Sequence, residues 1–277
     1  MHDLYGDKVK RSIFFPIGCI MVAWLCLPLL AACTYLPFER VDYKVYPTAE
    51  NPDDFFGRVY GKTRIEEVKV RQVTTIGEAS QLVGFPVRLP AYLPENLDSI
   101  TNIIISQSHA YRVNVDLKAA RALLQSAGIS TTSLPTDLES FQVEVSVPPN
   151  ALTSQGADPD FITFIQTRNP PFEAPSEVDP ALLDELGHLG WQYLGMNPEQ
   201  AQQLSQRMNW AFFLALPPAD MDSAEGVMIN GGQGVALKTS DPSIPHRGIL
   251  WEGDGTLYGL YSSLPLDELL KIASSLK

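Results

Sequence analysis

ILWEGDGTLYGLYS, residues 249–262, is a β-hairpin written in sequence. Two runs of strand-forming residues flank Gly253-Asp254-Gly255, and glycine supplies the positive φ that tight hairpin turns require. In the second run Tyr258 and Leu260 share one face, while Leu257 and Tyr261 share the other. A strand that is apolar on both faces has to be covered on both. The closing segment LDELLKIASSL carries Leu266, Leu269, Leu270, Ala273 and Leu276 along one side of a helix, which suits it to one of those faces. Core is the plain cover of the other, and a ligand the sharper alternative.

Working outward, VMINGGQGVALKT (227–239) reads as a second hairpin, turning at Gly231-Gly232-Gln233. WAFFLAL (210–216) is apolar on both faces. Asp179-Pro180 and Asn197-Pro198 each place a capping side chain before a proline, predicting helices over 180–194 and 198–208, with Gly195 between them. FQVEVSV (141–147) alternates, as an antiparallel strand with one wet face does, and FITFIQT (161–167) is its expected partner. TNIIISQ (101–107) and YRVNV from Tyr111 read as strands. Asp116 caps a helix over LKAARALLQSA that Gly128 closes. Thr75-Ile76-Gly77-Glu78 fits a capping box, in which the Thr75 oxygen serves the first turn and Glu78 reaches back. Strand pairs joined by tight turns and interrupted by short helices predict an α+β class with antiparallel sheet. The body is expected over 75–277, as one domain or as two subdomains split near 170–180. Residues 33–74 read as a tether, and RVYGKTRIEEVKVRQV within or beside it as a candidate strand.

The N-terminus reads as an address. Lys8, Lys10 and Arg11 precede an uncharged run of 18 residues, Ile13 to Leu30, and two alanines and Cys33 follow it. A basic start, an apolar middle and a small-residue exit form the layout of a secretory signal. At about 1.5 Å per residue the run would also reach roughly 27 Å as a membrane helix. The exit favours the signal, because Leu30-Ala31-Ala32-Cys33 resembles the bacterial lipobox. That resemblance implies cleavage between Ala32 and Cys33, with a lipid on the Cys33 thiol. Cys19 and Cys26 would leave with the signal, and none of the 244 residues after Cys33 is cysteine. An exported body with no free thiol suits an oxidising compartment.

The chain has net charge −12. Residues 1–32 hold three basic and two acidic groups, so the mature chain would carry −13. That balance excludes nucleic acid as a partner, since phosphates demand clustered Lys and Arg. No HExxH pair, Walker A loop or GxSxG elbow is present, and the acidic turns lack EF-hand spacing. No catalytic residue, metal or cofactor is therefore expected. Trp191, Trp210 and Trp251, with Phe212, Phe213, Tyr258 and Tyr261, are the main aromatic supply, and core is their plain use. Their sharper use is an apolar surface for a lipid or peptide at Trp210, Phe212, Phe213, Trp251 and Tyr258.

TTIGEASQLVGFPVRLPAYLP (74–94) resembles the start, and ILWEGDGTLYGLYSSLPLDELLKIASSL (249–276) the end, of an uncharacterised family of bacterial extracytoplasmic domains. The family occurs in exported lipoproteins and at the outer ends of membrane anti-sigma factors. The leading reading is a binding or accessory module at the cell envelope, anchored to the membrane through Cys33, with a protein or lipid as its ligand; the resemblance itself supplies no activity. It implies no catalytic residues. A carrier or sensor of lipids or lipoproteins, with an apolar cavity, is the alternative; a hydrolase with an unusual site ranks third.

Overall fold

The computed structural model describes residues 58–64, 68–97, 102–157, 160–209, 211, 223–238 and 247–277. All of them belong to one unit, Phe38–Lys277. The fold is α+β. Twelve strands form two antiparallel sheets among the described residues. The smaller sheet has the order β1 (Tyr60–Arg64), β4 (His109–Asp116), β5 (Ser140–Val147), β8 (Phe172–Glu173). The larger runs β2 (Val70–Val73), β3 (Asn102–Ser106), β6 (Asn150–Ala157), β7 (Asp160–Thr167), β12 (Thr256–Ser262), β11 (Arg247–Gly253), β10 (Gly232–Lys238), β9 (Ser223–Ile229). Five α-helices accompany them among the described residues: α1 (Ile76–Val83), α2 (Leu117–Ser126), α3 (Pro180–Tyr193), α4 (Pro198–Ser205) and α5 (Leu266–Ser274).

The helix ends follow their capping residues. The side chains of Thr75, Asp116, Asp179 and Asn197 accept hydrogen bonds from first-turn amides of α1, α2, α3 and α4. Gly84, Gly128 and Gly195 stand at positive φ just past three of those helices. At α1 the capping box is half made. Glu78 Nα–H donates to Thr75 Oγ1, but the Glu78 carboxylate turns outward to Arg71 at 2.7 Å instead of reaching back. The strand beside α1 offers a charged partner that outcompetes a neutral amide.

Both expected hairpins form, with tighter turns than the letters suggested. Asn230-Gly231 and Asp254-Gly255 are two-residue turns with positive φ at both positions, of 49° and 79° in the first and 54° and 70° in the second. This is the geometry that matches the right-handed twist of paired strands. β12 lies between β7 and β11 and is covered on both faces. Tyr258 and Leu260 pack with Leu269, Ile272 and Ala273 of α5. Leu257 joins a core shared with Leu183, Leu186 and Trp191 of α3, Leu204 of α4 and the inner face of β4 and β5, and Tyr261 packs against it. The second cover is thus the protein's own helices and small sheet, the plain reading, and not a ligand.

Three other expectations are corrected. β5 pairs with β4 and β8, and FITFIQT pairs with β6 and β12 in the other sheet. Burial explains the exchange: β5 alternates buried and exposed along its whole length, whereas Ile162, Thr163, Phe164, Gln166 and Thr167 are all buried. A strand covered on both sides belongs inside a sheet covered on both sides. Second, β1 and β2 are integral to the two sheets, so the folded body begins before Thr75 and takes in residues that had read as tether. Third, the larger sheet joins strands from both sides of residues 170–180, so no subdomain division falls there.

After α1 the chain runs extended through Phe85–Pro90, as the prolines require, and crosses the α5 side of the larger sheet. Gln166, fully buried, holds it there. Its Oε1 accepts from the Arg88 amide at 2.8 Å, and its Nε2 donates to the Arg88 carbonyl at 2.9 Å. One side chain thus replaces a missing strand partner. Farther on, Pro90 bridges Leu276, and the Ala91 amide donates to the Ser275 carbonyl, tying the strap to the end of α5.

Gln166→Leu keeps the volume but orphans both Arg88 backbone groups. It should cost about 1–3 kcal/mol, seen as a lower melting temperature. Deleting residues 264–277 removes Leu269 and Ile272, each fully buried. Each such loss costs about 2–5 kcal/mol against a total stability of about 5–15. The truncated chain should melt far below the intact one or aggregate; an unchanged melting curve would show that α5 is a loose tail.

Candidate functional site

Of the five residues considered for an apolar ligand surface, the structure describes Trp251 and Tyr258. They stand opposite each other on β11 and β12, rings stacked with centroids 5.1 Å apart. Phe164 from β7 completes the stack, 6.0 Å from Trp251 and 5.9 Å from Tyr258. Trp251 is 5% exposed and Tyr258 2%, with α5 above and Leu93 and Leu97 of the strap beside them. At these positions the apolar surface is internal and filled. Trp210, Phe212 and Phe213 lie outside the described residues, as do Ala32 and Cys33.

Chemistry gathers instead where the stack meets solvent, at the Asp254-Gly255 turn. Gln166, Arg168, Thr256 and Tyr258 follow one another on the same sheet face, because β7 and β12 are paired with Gln166 opposite Tyr258. Burial pushes the Tyr258 phenol above its ordinary range, and nearby Asp254 adds to this. The Arg88 and Arg168 guanidinium groups and a hydrogen bond with Thr256 act in the opposite sense. The hydroxyl is therefore a neutral donor at physiological pH, within electrostatic reach of two arginines. Arg88 Nη2 pairs with Asp254 Oδ2 at 2.9 Å, with side chains 37% and 75% exposed. Arg168 Nη1 donates to the Gly255 carbonyl at 3.1 Å, and its guanidinium stands 5.4 Å from the centroid of the Phe85 ring. Glu252 Oε1 accepts from the Gly255 amide at 2.7 Å and braces the turn.

Sequence reasoning passed over this cluster. Arg88 lies between prolines that were read only for backbone shape, and Arg168 follows a strand assigned to the wrong sheet. Asp254 was weighed only as part of an acidic turn. No local motif carries the signal, since Arg88, Arg168, Asp254 and Tyr258 meet only through the sheet register and the strap.

Two further features are simpler. An open depression of about 380 Å³ lies on the wet face of the smaller sheet, lined by Arg112, Gln142, Glu144, Glu173, Ala174 and Pro175. Arg112 and Glu144, both exposed, pair there across the strands at 2.9 Å and neutralise each other. Among the described residues no group of three or more His, Cys, Asp or Glu stands together as a metal would need, and no helix is long and apolar enough to cross a membrane. The apolar run 13–30 is outside them.

Compared with family models, with curated proteins and with solved structures, the chain matches none.

Proposed function

We propose that this chain is a lipid-anchored protein of the outer face of the cell membrane, tethered through Cys33, whose folded body is a binding or accessory module that works through its surface. The observation that carries the anchor is Leu30-Ala31-Ala32-Cys33 at the end of a signal-like segment, with no cysteine anywhere after it. Two acyl chains hold a protein at a membrane stably, whereas one does so only marginally. The likeness of 74–94 and 249–276 to an uncharacterised exported family supports the same setting.

The packing supports a module over a lipid carrier. A carrier needs an apolar cavity, and the strand best suited to line one, β12, has both faces filled by the protein's own side chains. Filled cores are the stable state; an empty apolar cavity destabilises.

Cys33→Ser should abolish incorporation of a labelled fatty acid and leave unprocessed precursor; normal labelling and processing of the variant would defeat the anchor. The full-length protein in detergent should show no saturable binding of a fluorescent fatty acid. Saturable binding, weakened by Phe212→Ser or Phe213→Ser, would install the carrier in its place.

A further inference from the structure

We propose that β9 is a dimerisation edge: the outer side of Ser223–Ile229 pairs antiparallel with the same strand of a second copy of this chain, about a two-fold axis through Val227. The pairing is independent of the anchoring through Cys33.

The four edge strands of the two sheets are guarded unequally. An open edge invites another strand, and proteins blunt it with brevity, proline and basic residues. β8 is two residues long, with Pro170 and Pro171 before it and Pro175 after it. β1 contains Lys62 and Arg64, and β2 is four residues long with Arg71 among them. β9 is seven residues, SAEGVMI, without Lys, Arg or proline. Its one charged residue, Glu225, is neutralised by Lys238 at 2.7 Å. Met228 on this strand is 65% exposed. Tyr92 is the other exposed large apolar side chain among the described residues, and its hydroxyl is bonded to Glu268.

The backbone shows which groups the edge offers. Ile229 and Gly232 flank the two-residue turn and so exchange hydrogen bonds, and the exchange recurs at every second pair along β9 and β10. The N–H and C=O groups of Ala224, Gly226 and Met228 therefore face outward. The Ala224 amide agrees with this phase: it donates to the Leu194 carbonyl, at the end of α3, at 2.8 Å. That bond closes one end of the edge. Gly226 and Met228 remain, and none of the described strands pairs with them on that side.

One register uses both. Centred on Gly226, an antiparallel self-pairing needs the Ala224 amide that Leu194 holds. Centred on Met228, it sets two methionines against each other and runs Gly226 into the Asn230 turn. Centred on Val227, it places Gly226 opposite Met228 of the second copy, and each such pair exchanges two hydrogen bonds. Met228 then rests on a residue with no side chain and against Gln200, whose Nε2 would lie 3.1 Å from a Cβ at 226. Glu225 falls opposite Ile229, so like charges do not face each other. One patch that complements itself in this way makes a closed, isologous dimer.

Sedimentation of the full-length protein in density-matched detergent tests the dimer, and cysteine cross-linking tests its register. The protein should associate reversibly below about 0.1 mM, in the range of small interfaces. Met228→Arg should weaken association about tenfold or more, with the melting temperature unchanged because the side chain is exposed. Under mild oxidation Val227→Cys should give a disulfide-linked dimer, measured against the unsubstituted chain with its Cys19, Cys26 and Cys33. Opposed residues of a non-hydrogen-bonded pair stand about 4.5 Å apart at Cα, within disulfide reach. Glu225→Cys should give none, since four residues of strand, about 14 Å, separate the two copies of that position. A monomer at every concentration, or a dimer that Met228→Arg leaves intact, overturns the proposal. A different polypeptide bound to the protein and released by Met228→Arg overturns it in favour of a foreign strand. Cross-linking through Glu225→Cys as readily as through Val227→Cys overturns the register.

Discussion

The two-sided burial of β12 is the constraint from which the rest of this structure follows. With Tyr258 and Leu260 on one face and Leu257 and Tyr261 on the other, the strand is stable only inside a sheet, between two layers. Its neighbours supply the first requirement, β7 on one side and β11 on the other. α5 supplies one layer, and the core built by α3, α4 and the smaller sheet supplies the second. The arrangement makes the larger sheet the wall between two cores. Its neighbour β10 is fitted to the same demand. Gly234 stands opposite Trp251, and a Cβ there would lie 2.8 Å from the Leu250 carbonyl oxygen and 3.0 Å from the Trp251 Cβ. The indole has its place because the residue across from it has no side chain.

Local chemistry was legible in the sequence, and pairing between distant segments was not. Caps, prolines and glycines act within a few residues, so α1 to α4 start where Thr75, Asp116, Asp179 and Asn197 stand. Both hairpins were legible for the same reason, since glycine turns join adjacent strands, although the first turn lies one residue earlier, at Asn230-Gly231, than the glycines suggested. The faces of β12 could be read because a period of two fixes them whatever the partner. Which strand lies beside β5 depends on burial elsewhere, and the segment that separates the candidates is NALTSQGA. With Thr153 as its one β-branched residue and a glycine at 156, it carries almost no strand signal, yet it pairs with β3 and β7. Tertiary context overrides propensity there.

The site was illegible for a related reason. Its residues come from a proline-rich strap, the end of β7, a turn and β12, and nothing in their spacing brings them together. They meet because Gln166 points to the α5 side and holds the Arg88 backbone at two points. The amide that fixes the strap also sets the Arg88 side chain beside Asp254, so a packing device and a charge cluster share one residue. The aromatic residues, by contrast, were conspicuous in the sequence, and those that the structure describes serve the core.

A body with this charge repels anions at long range, and that sets the terms on which any of them could be held. Beyond about one Debye length, roughly 8 Å in physiological salt, the net charge is screened and local arrangement decides. At the Asp254-Gly255 turn that arrangement is an exposed pair of Arg88 and Asp254 beside Arg168. Arg168 is fixed from the side by a carbonyl and from below by a ring, contacts that leave its remaining N–H donors directed to solvent. Asp254 sits on the turn itself, where its positive φ and exposure allow its carboxylate to move without disturbing the strands. Arg168 is thus held by a carbonyl and a ring, whereas Arg88 and Asp254 share an exposed ion pair, which is worth little against water.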